Sequence, residues 1–209
     1  MTDTLPLFLA AALLLAVTPG PGLFYVAART LAGGRAEGIA SSLGTGIGGM
    51  AHVLAGSLGV SALVMASAEL FNALKWAGAL YLVWLGWRAI RSARAEALPG
   101  TPAPPIGPRR ALREGVVVEA LNPKTAAFFL AFIPQFVDPA AGHAGVQFVV
   151  LGTVSVLLNT LADVAVALAA GRLRDGAAAR PTLVRRLREA SGAAMIALGL
   201  GLAVAKRPG

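Results

Sequence analysis

The chain contains no cysteine, which excludes disulfide bonds, thiolate metal sites and thiol redox chemistry. Charged side chains are also scarce: they make up 13% of the 209 residues, against roughly 25% in an ordinary soluble domain. Hydrophobic residues account for 56% of the chain, and the mean hydropathy is +0.72. These proportions predict an integral membrane protein surrounded by a lipid bilayer.

The net charge of +8 would indicate a nucleic-acid partner in a soluble protein. Here the basic residues lie between apolar runs, where positive charge orients a chain in the membrane. We therefore expect no nucleic-acid partner. No Lys or Arg precedes the first apolar run, which favours a permanent span over a cleaved secretory signal.

Six segments are apolar over about 20 residues, the length needed to cross roughly 30 Å of hydrocarbon. They cover residues 5–28, 38–66, 70–90, 114–137, 146–170 and 191–205. The last segment is short, so whether it spans fully is left open. The sequence predicts an all-α membrane protein with a three-helix unit at residues 1–90, a flexible cytoplasmic linker at 91–113 and a second three-helix unit at 114–209.

Basic residues are divided unequally between the two ends of these spans. The first, third and fifth connections and the helix ends beside them hold 14 Lys and Arg residues, whereas the opposite side has only Lys206 and Arg207. Because cytoplasmic loops collect basic residues, this division predicts cytoplasmic basic loops and places both termini outside.

Two lysines lie within the predicted spans. Lys75 is near the outer end of the third span, and we expect its long side chain to extend to water. Lys124 is near the centre of the fourth span, where a charge costs about 3 kcal/mol. Lys124 is therefore a candidate functional residue.

The first span is interrupted by two prolines within LLAVTPGPGLFYV, residues 13–25. Pro19 and Pro21 have no backbone N–H, so the carbonyls of Leu15 and Val17 lose their helical partners. Gly20, between the prolines, lets the chain leave helical geometry at little steric cost. We therefore expect a broken helix inside the membrane.

The fourth span is interrupted in the same way within EALNPKTAAFF. Pro123 frees the Glu119 carbonyl and disfavours the α conformation at Asn122. Each break lies about nine residues from the cytoplasmic end of its span, roughly 13 Å and hence near the midplane. Three spans separate the breaks, which predicts two inverted repeats. Breaks at matching places in inverted halves indicate a transporter's binding site.

A broken helix offers two kinds of polar backbone. The second half begins with unpaired N–H groups that suit an anion, and the first half ends with free carbonyls that suit an ammonium group. A zwitterion fits both. We expect the amides after Pro19 and Pro21, helped by Lys124 and Asn122, to hold a carboxylate, and an acidic side chain with the free carbonyls to hold an amine.

Asp163 lies too deep in the fifth span to reach water, so we expect an ion pair with Lys124. That pair could be purely structural. Glu119 lies closer to the interface and could simply reach it. Either carboxyl group could carry a coupling proton, because a buried carboxylate is costly to keep charged.

The second span carries Gly44, Gly48, His52 and Gly56 at intervals of four, on one face of a helix. Small residues at this spacing let another helix approach closely, so the stripe predicts helix packing. His52 could relay protons, although a hydrogen-bonded structural histidine is the simpler interpretation.

Three stretches in this order and spacing, TPGPG, KWAGALYLVWLG and LNPKTAAFFLAFIPQFV, resemble the LysE/RhtB family of bacterial amino-acid exporters over roughly residues 5 to 200. The resemblance implies a protein of the bacterial cytoplasmic (inner) membrane that exports an amino acid such as lysine, threonine, homoserine or leucine by proton antiport. It implies substrate-binding positions at Thr18, Pro19, Gly20, Pro21, Asn122, Pro123, Lys124 and Asp163. VAVALAA follows Asp163 where many relatives carry aromatic residues, which leaves the substrate undetermined.

Several other classes are disfavoured or left open. A thiol-redox carrier needs paired cysteines, and His52 with His143 makes a poor ligand set for an exported metal ion. No nucleophile–base pairing, metal spacing or phosphate loop indicates an enzyme, and no cofactor is expected. An exporter of another small solute or cation on the same fold and a non-transporting membrane subunit stay open, as does a homodimer.

Overall fold

The computed structural model describes residues 5–65, 68–95, 104–138, 140–173 and 181–204. Within these ranges the chain is helical and forms no strand, so the all-α prediction is confirmed for them. The helices are α1 (Leu5–Val17), α2 (Pro21–Gly33), α3 (Arg35–Met65), α4 (Ala68–Ala95), α5 (Pro108–Ala120), α6 (Pro123–Ala127), α7 (Ala144–Leu173) and α8 (Pro181–Val204). Helix α6 continues as a π-helical turn, Phe128–Phe132, and a 3₁₀ turn, Ile133–Phe136.

Both proline interruptions are breaks in the structure. Helices α1 and α2 are bent by 43° relative to each other, and α5 is bent by 42° relative to the segment that begins at Pro123. Each new helix starts with a proline at its first position, where the missing N–H costs nothing and the fixed φ suits the helix. The prolines therefore end one helix and begin the next.

Helix α7 is the one helix in the described ranges that is long and apolar enough to cross a bilayer by itself, over Ala144–Arg172. The pairs α1–α2 and α5–α6 reach that measure when each bent pair is counted as one span. By length and composition, the described ranges thus contain up to three spans. The arrangement of six spans in two inverted halves stays a prediction.

Helix α3 packs closely against α5 because glycines remove side chains from their contact. Gly44 and Gly48 lie against the backbone carbonyls of Leu112 and Val116 on α5, where a Cβ atom at Gly48 would be 2.5 Å from the Val116 oxygen. Gly56 lies instead against α7, which packs on the same helix. The packing interpretation of the glycine stripe is therefore confirmed.

The core lies between α1, α3, α7 and the segment after Pro123, and aromatic rings fill much of it. The run of phenylalanines in that segment makes helix contacts, with Phe128, Phe129 and Phe132 buried. The π-helical turn carries all three of these rings. Such turns often mark functional segments of helices.

The described end of the α4–α5 connection is fixed to the first half of the chain. Glu37, at the start of α3, accepts hydrogen bonds from the backbone N–H groups of Ile106 (2.8 Å) and Gly107 (2.7 Å). Arg29 donates to the Pro104 carbonyl at 3.1 Å and lies 4.0 Å from Glu37. We call this cluster the linker anchor.

The predicted linker at 91–113 is therefore partly ordered. Helix α4 extends into it to Ala95 and α5 begins within it at Pro108, while residues 96–103 lie outside the described ranges.

The expectation that the Lys75 side chain extends to water is wrong: the residue is only 9% exposed, and its Nζ lies 5.7 Å from the ring centre of Trp76. An aromatic face attracts a cation at this distance, which favours burial over extension to water.

Replacement of Gly48 by alanine should destabilise the protein. The new methyl group would meet the Val116 carbonyl on a neighbouring backbone that cannot move alone, and overpacking of this kind typically costs about 1–3 kcal/mol. Thermal unfolding of the purified protein in detergent measures the effect. Gly59→Ala, on the same helix with nothing within 4 Å of its Cβ position, is the matched control and should unfold at the wild-type temperature or above. Equal melting of both variants would contradict the close contact.

Candidate functional site

The first break leaves polar backbone groups at the end of α1. The Thr18 N–H still donates to the carbonyls of Leu14 and Leu15, and the Thr18 hydroxyl donates to Leu14 as well. Gly20, the N-cap of α2, is extended and offers no side chain to cap the new helix. Helix α2 therefore begins without the side-chain cap that helices commonly have.

The carbonyl freed by Pro19 is occupied by a lysine from the second break. Lys124 Nζ donates to the carbonyl oxygens of Leu15 (3.2 Å) and Thr18 (2.9 Å), and the residue is only 4% exposed. Its side chain passes over Gly20, where a Cβ atom would lie 3.1 Å from Nζ. The free carbonyls thus hold an ammonium group as expected, but it is the chain's own. The expectation that Lys124 helps to hold a substrate carboxylate stays a prediction.

At the second break, a side chain of the break itself caps the new helix. Asn122 is the N-cap of α6: its Oδ1 accepts from the Lys124 N–H at 3.1 Å, and its Nδ2 donates to Glu119 Oε2 at 2.9 Å. The Glu119 carbonyl, freed by Pro123, accepts from the Asn122 N–H at 3.0 Å and lies 2.9 Å from His52 Nε2. Because a carbonyl only accepts, His52 must donate here through Nε2.

The carboxylate of Glu119 points from the second break towards the first. The residue is 2% exposed, and the Thr125 hydroxyl donates to Oε1 at 2.6 Å. A Cβ atom at Gly22, in the first turn of α2, would lie 2.5 Å from Oε2. Glu119 does not reach an interface, so that expectation is wrong. The positive end of α2 and two donating side chains, those of Asn122 and Thr125, favour its buried position instead.

Asp163 is held by a hydroxyl and not by a cation. Its Oδ2 accepts from Thr45 Oγ1 at 2.7 Å, and the residue is 1% exposed. No ion pair joins Asp163 to Lys124 in the described part of the chain, so the expected pair is wrong. The Lys124 ammonium group is bound by backbone carbonyls, and the Asp163 carboxyl group is bound by the Thr45 hydroxyl. Each group therefore has a hydrogen-bond partner without direct contact between the two.

A narrow cavity lies between the breaks and α7. Its empty space is about 300 Å³ when the open solvent at its mouth is counted, and in this conformation the enclosed part has room for about one water molecule. Its polar lining consists of Thr45, Glu119, Thr125, Ser155 and Asn159, and its apolar lining of Ala12, Leu15, Gly49, Phe129 and Val156. A few polar groups on an apolar wall are typical of a small-molecule site.

The sequence model of the LysE type translocator family matches residues 13–206. The chain belongs to the LysE type translocator family. It is 32% identical over 200 residues to an uncharacterized membrane protein of Vibrio cholerae, covering 95% of this chain and 96% of the relative. Relatives with more specific names are a leucine efflux protein of Enterobacter sp. (31% identity; 73% of this chain, 72% of the relative) and a homoserine/homoserine lactone efflux protein of Salmonella typhimurium (29%; 95% of each).

No solved structure matches this chain. Membership of the LysE type translocator family identifies the chain as a membrane transporter and not an enzyme. The family resemblance seen in the sequence motifs is thereby confirmed. The cavity and the two breaks are accordingly the part of this translocator where a transported molecule is expected.

The structure brings together most of the residues that the sequence singled out. Thr18, Gly20 and Lys124 meet at the first break, and Glu119, Asn122 and His52 at the second. Pro19, Pro21 and Pro123 contribute through the N–H groups that they lack. Asp163 is connected to the cavity through Thr45, which lines it.

Four polar cavity residues were missed by sequence reasoning: Thr45, Thr125, Ser155 and Asn159. Ser155, Asn159 and Asp163 follow one another at intervals of four along an apolar helix. That spacing puts them on one face of α7 and could have indicated two of the four. Thr45 and Thr125 have no such pattern, because each acts through a partner on another part of the chain.

Replacement of Lys124 by methionine should destabilise this translocator by about 1–3 kcal/mol, because the Thr18 carbonyl would lose its buried donor and the Leu15 carbonyl would keep only the Thr18 N–H. Chemical unfolding in detergent micelles measures the loss. Arg110→Met is the control: it removes a cation from the exposed pair with Glu114, 2.7 Å apart, and should change stability little. A Lys124→Met protein as stable as the control would show that the ammonium–carbonyl contact contributes nothing.

Proposed function

We propose that this chain is a secondary transporter of the bacterial cytoplasmic membrane that exports an amino acid or a small amino-acid derivative in exchange for protons. The observation that carries the proposal is the meeting of the two breaks. A charged side chain from the second break lies against each glycine of the first, beside a cavity of mixed polarity. Two relatives, named as a leucine efflux protein and a homoserine/homoserine lactone efflux protein, support the same substrate class.

The site suits a zwitterion. In the present conformation Lys124 holds the carbonyls of Leu15 and Thr18, which a substrate ammonium group would take when this lysine turns away. Glu119 and Leu15 both line the cavity, so the Glu119 carboxylate and, once Lys124 has turned away, the Leu15 carbonyl would bind the same ammonium group. The released Lys124 and the backbone amides at the start of α2 are then placed for the substrate carboxylate.

Proton antiport follows if a proton and the substrate compete for one carboxylate. Glu119 attracts an ammonium group only when it is ionised, so protonation from outside would release the substrate and deprotonation inside would restore the site. Asp163 and His52 are the other proposed proton carriers. Asp163 is coupled to the cavity through Thr45, and His52 through the Glu119 carbonyl.

We further propose the membrane arrangement that the sequence predicts. Residues 1–90 and 114–209 form two inverted three-helix units joined by a cytoplasmic linker at 91–113, with both termini outside. The division of Lys and Arg residues supports this orientation. The similar bends of the two proline-broken segments, 43° and 42°, support the repeat.

Transport is tested with the purified chain in proteoliposomes loaded with labelled L-leucine or L-homoserine. Acidification of the outside should accelerate efflux of at least one of them, and a protonophore should remove the acceleration. Efflux that does not respond to the pH gradient would contradict antiport, and no efflux of any amino acid would contradict the transport function.

Glu119→Gln should lower the efflux rate about 10- to 100-fold, because a permanently neutral side chain loses a charge-assisted hydrogen bond to the substrate ammonium group. Glu114→Gln is the matched control, since Glu114 lies on the same helix but pairs with the exposed Arg110. The control should retain wild-type efflux. Equal rates for both variants would remove Glu119 from the binding site.

A further inference from the structure

Three polar residues on one face of α7 differ in their hydrogen bonds. Ser155, Asn159 and Asp163 lie one turn apart on one face of the helix. Asp163 accepts from Thr45, whereas the side chains of Ser155 and Asn159 make no hydrogen bond within the described part of the chain. Both line the cavity.

Ser155 is unusual for a buried serine in a helix. The residue is 3% exposed and lines the cavity, and its hydroxyl makes no hydrogen bond within the described part of the chain. The buried serines of α3 behave in the ordinary way, since Ser41 and Ser42 donate to the carbonyls of Glu37 (2.7 Å) and Gly38 (3.0 Å) one turn earlier. A hydroxyl that lines a cavity and is not bonded to its own helix can both donate to and accept from a ligand.

The other polar side chains of the cavity are already engaged. Glu119 accepts from Asn122 and Thr125, and Thr45 bonds to Asp163. The remaining lining is apolar. The hydrogen-bonding capacity that the cavity offers to a ligand side chain is therefore concentrated on Ser155 and Asn159.

We propose that Ser155 and Asn159 bind the side chain of the exported amino acid and select short side chains that end in a hydroxyl or an amide. This inference rests on the proposed function. Glu119 and Leu15, from other walls of the cavity, would hold the amino group, which leaves α7 to face the substrate side chain. A hydroxyl or amide both donates and accepts, as Ser155 and Asn159 do, whereas a hydrocarbon of equal size leaves both unpaired.

The test uses two pairs of amino acids of nearly equal shape, L-threonine with L-valine and L-asparagine with L-leucine. Counterflow into proteoliposomes that contain the purified chain should favour the polar member of each pair about fivefold to tenfold, the worth of one neutral hydrogen bond. Ser155→Ala should bring the threonine-to-valine ratio close to one, because it removes the hydrogen bond that favours threonine.

Ser42→Ala is the matched control, because Ser42 is also buried in a helix but donates to its own backbone. It should keep the wild-type ratio. Flux without discrimination in the wild type, or an unchanged ratio in Ser155→Ala, overturns this inference and leaves the proposed function standing. No flux of any of the four amino acids overturns the proposed function and this inference together.

A second measurement does not depend on flux. The chain has no cysteine, so Asn159→Cys introduces a single thiol into the cavity. L-threonine should slow the reaction of this thiol with a maleimide, and L-valine should slow it at least fivefold less. Val150→Cys, on an exposed part of the same helix, should react at one rate with either amino acid or none. Equal protection by the two amino acids overturns the selectivity.

Discussion

The carbonyl groups that Pro19 and Pro123 leave without helical partners impose the constraint on which the rest of the structure depends. An unpaired backbone group in a bilayer costs several kcal/mol, so each must find a donor close by. In the structure, residues of the second break supply donors to the carbonyls of both breaks. Lys124, from the second break, donates to Leu15 and Thr18 at the first, while His52 and the Asn122 N–H serve the Glu119 carbonyl. The two breaks must therefore remain adjacent.

This mutual dependence would give the proposed exchange a physical basis. If Lys124 leaves the first break with nothing in its place, the buried Thr18 carbonyl loses its donor and the Leu15 carbonyl keeps only the Thr18 N–H, so separation of the breaks costs free energy in the empty site. A substrate ammonium group would restore those contacts and lower that cost. A transporter built in this way would change conformation readily with its substrate bound and reluctantly without it.

Sequence reasoning predicted the helical class, both breaks and most residues around them, because proline and buried charge act locally and leave a signature in the chain. It predicted the wrong partner for Lys124 because charge attraction suggested Asp163, while neutral carbonyls and a hydroxyl satisfied both groups. Thr45 and Thr125 escaped prediction because ordinary polar residues acquire a role only through what the fold places beside them. The fixed position of Ile106 and Gly107 was missed for the same reason. A Pro- and Gly-rich stretch predicts a flexible connection, and only the fold places Glu37 where it can accept hydrogen bonds from these two N–H groups.

The linker anchor and the breaks are joined by two helices of equal length. Helices α2 and α5 each contain 13 residues, or roughly 20 Å of helix. Helix α2 runs from the first break towards Arg29, and α5 runs from Gly107 to the second break, with the Tyr25 hydroxyl 3.0 Å from the Ala111 carbonyl between them. Because both ends of the pair are bonded, a shift at the breaks must either carry α2 and α5 together or open the anchor. The pair is thus a mechanical connection between the candidate substrate site and the chain segment that joins the two halves.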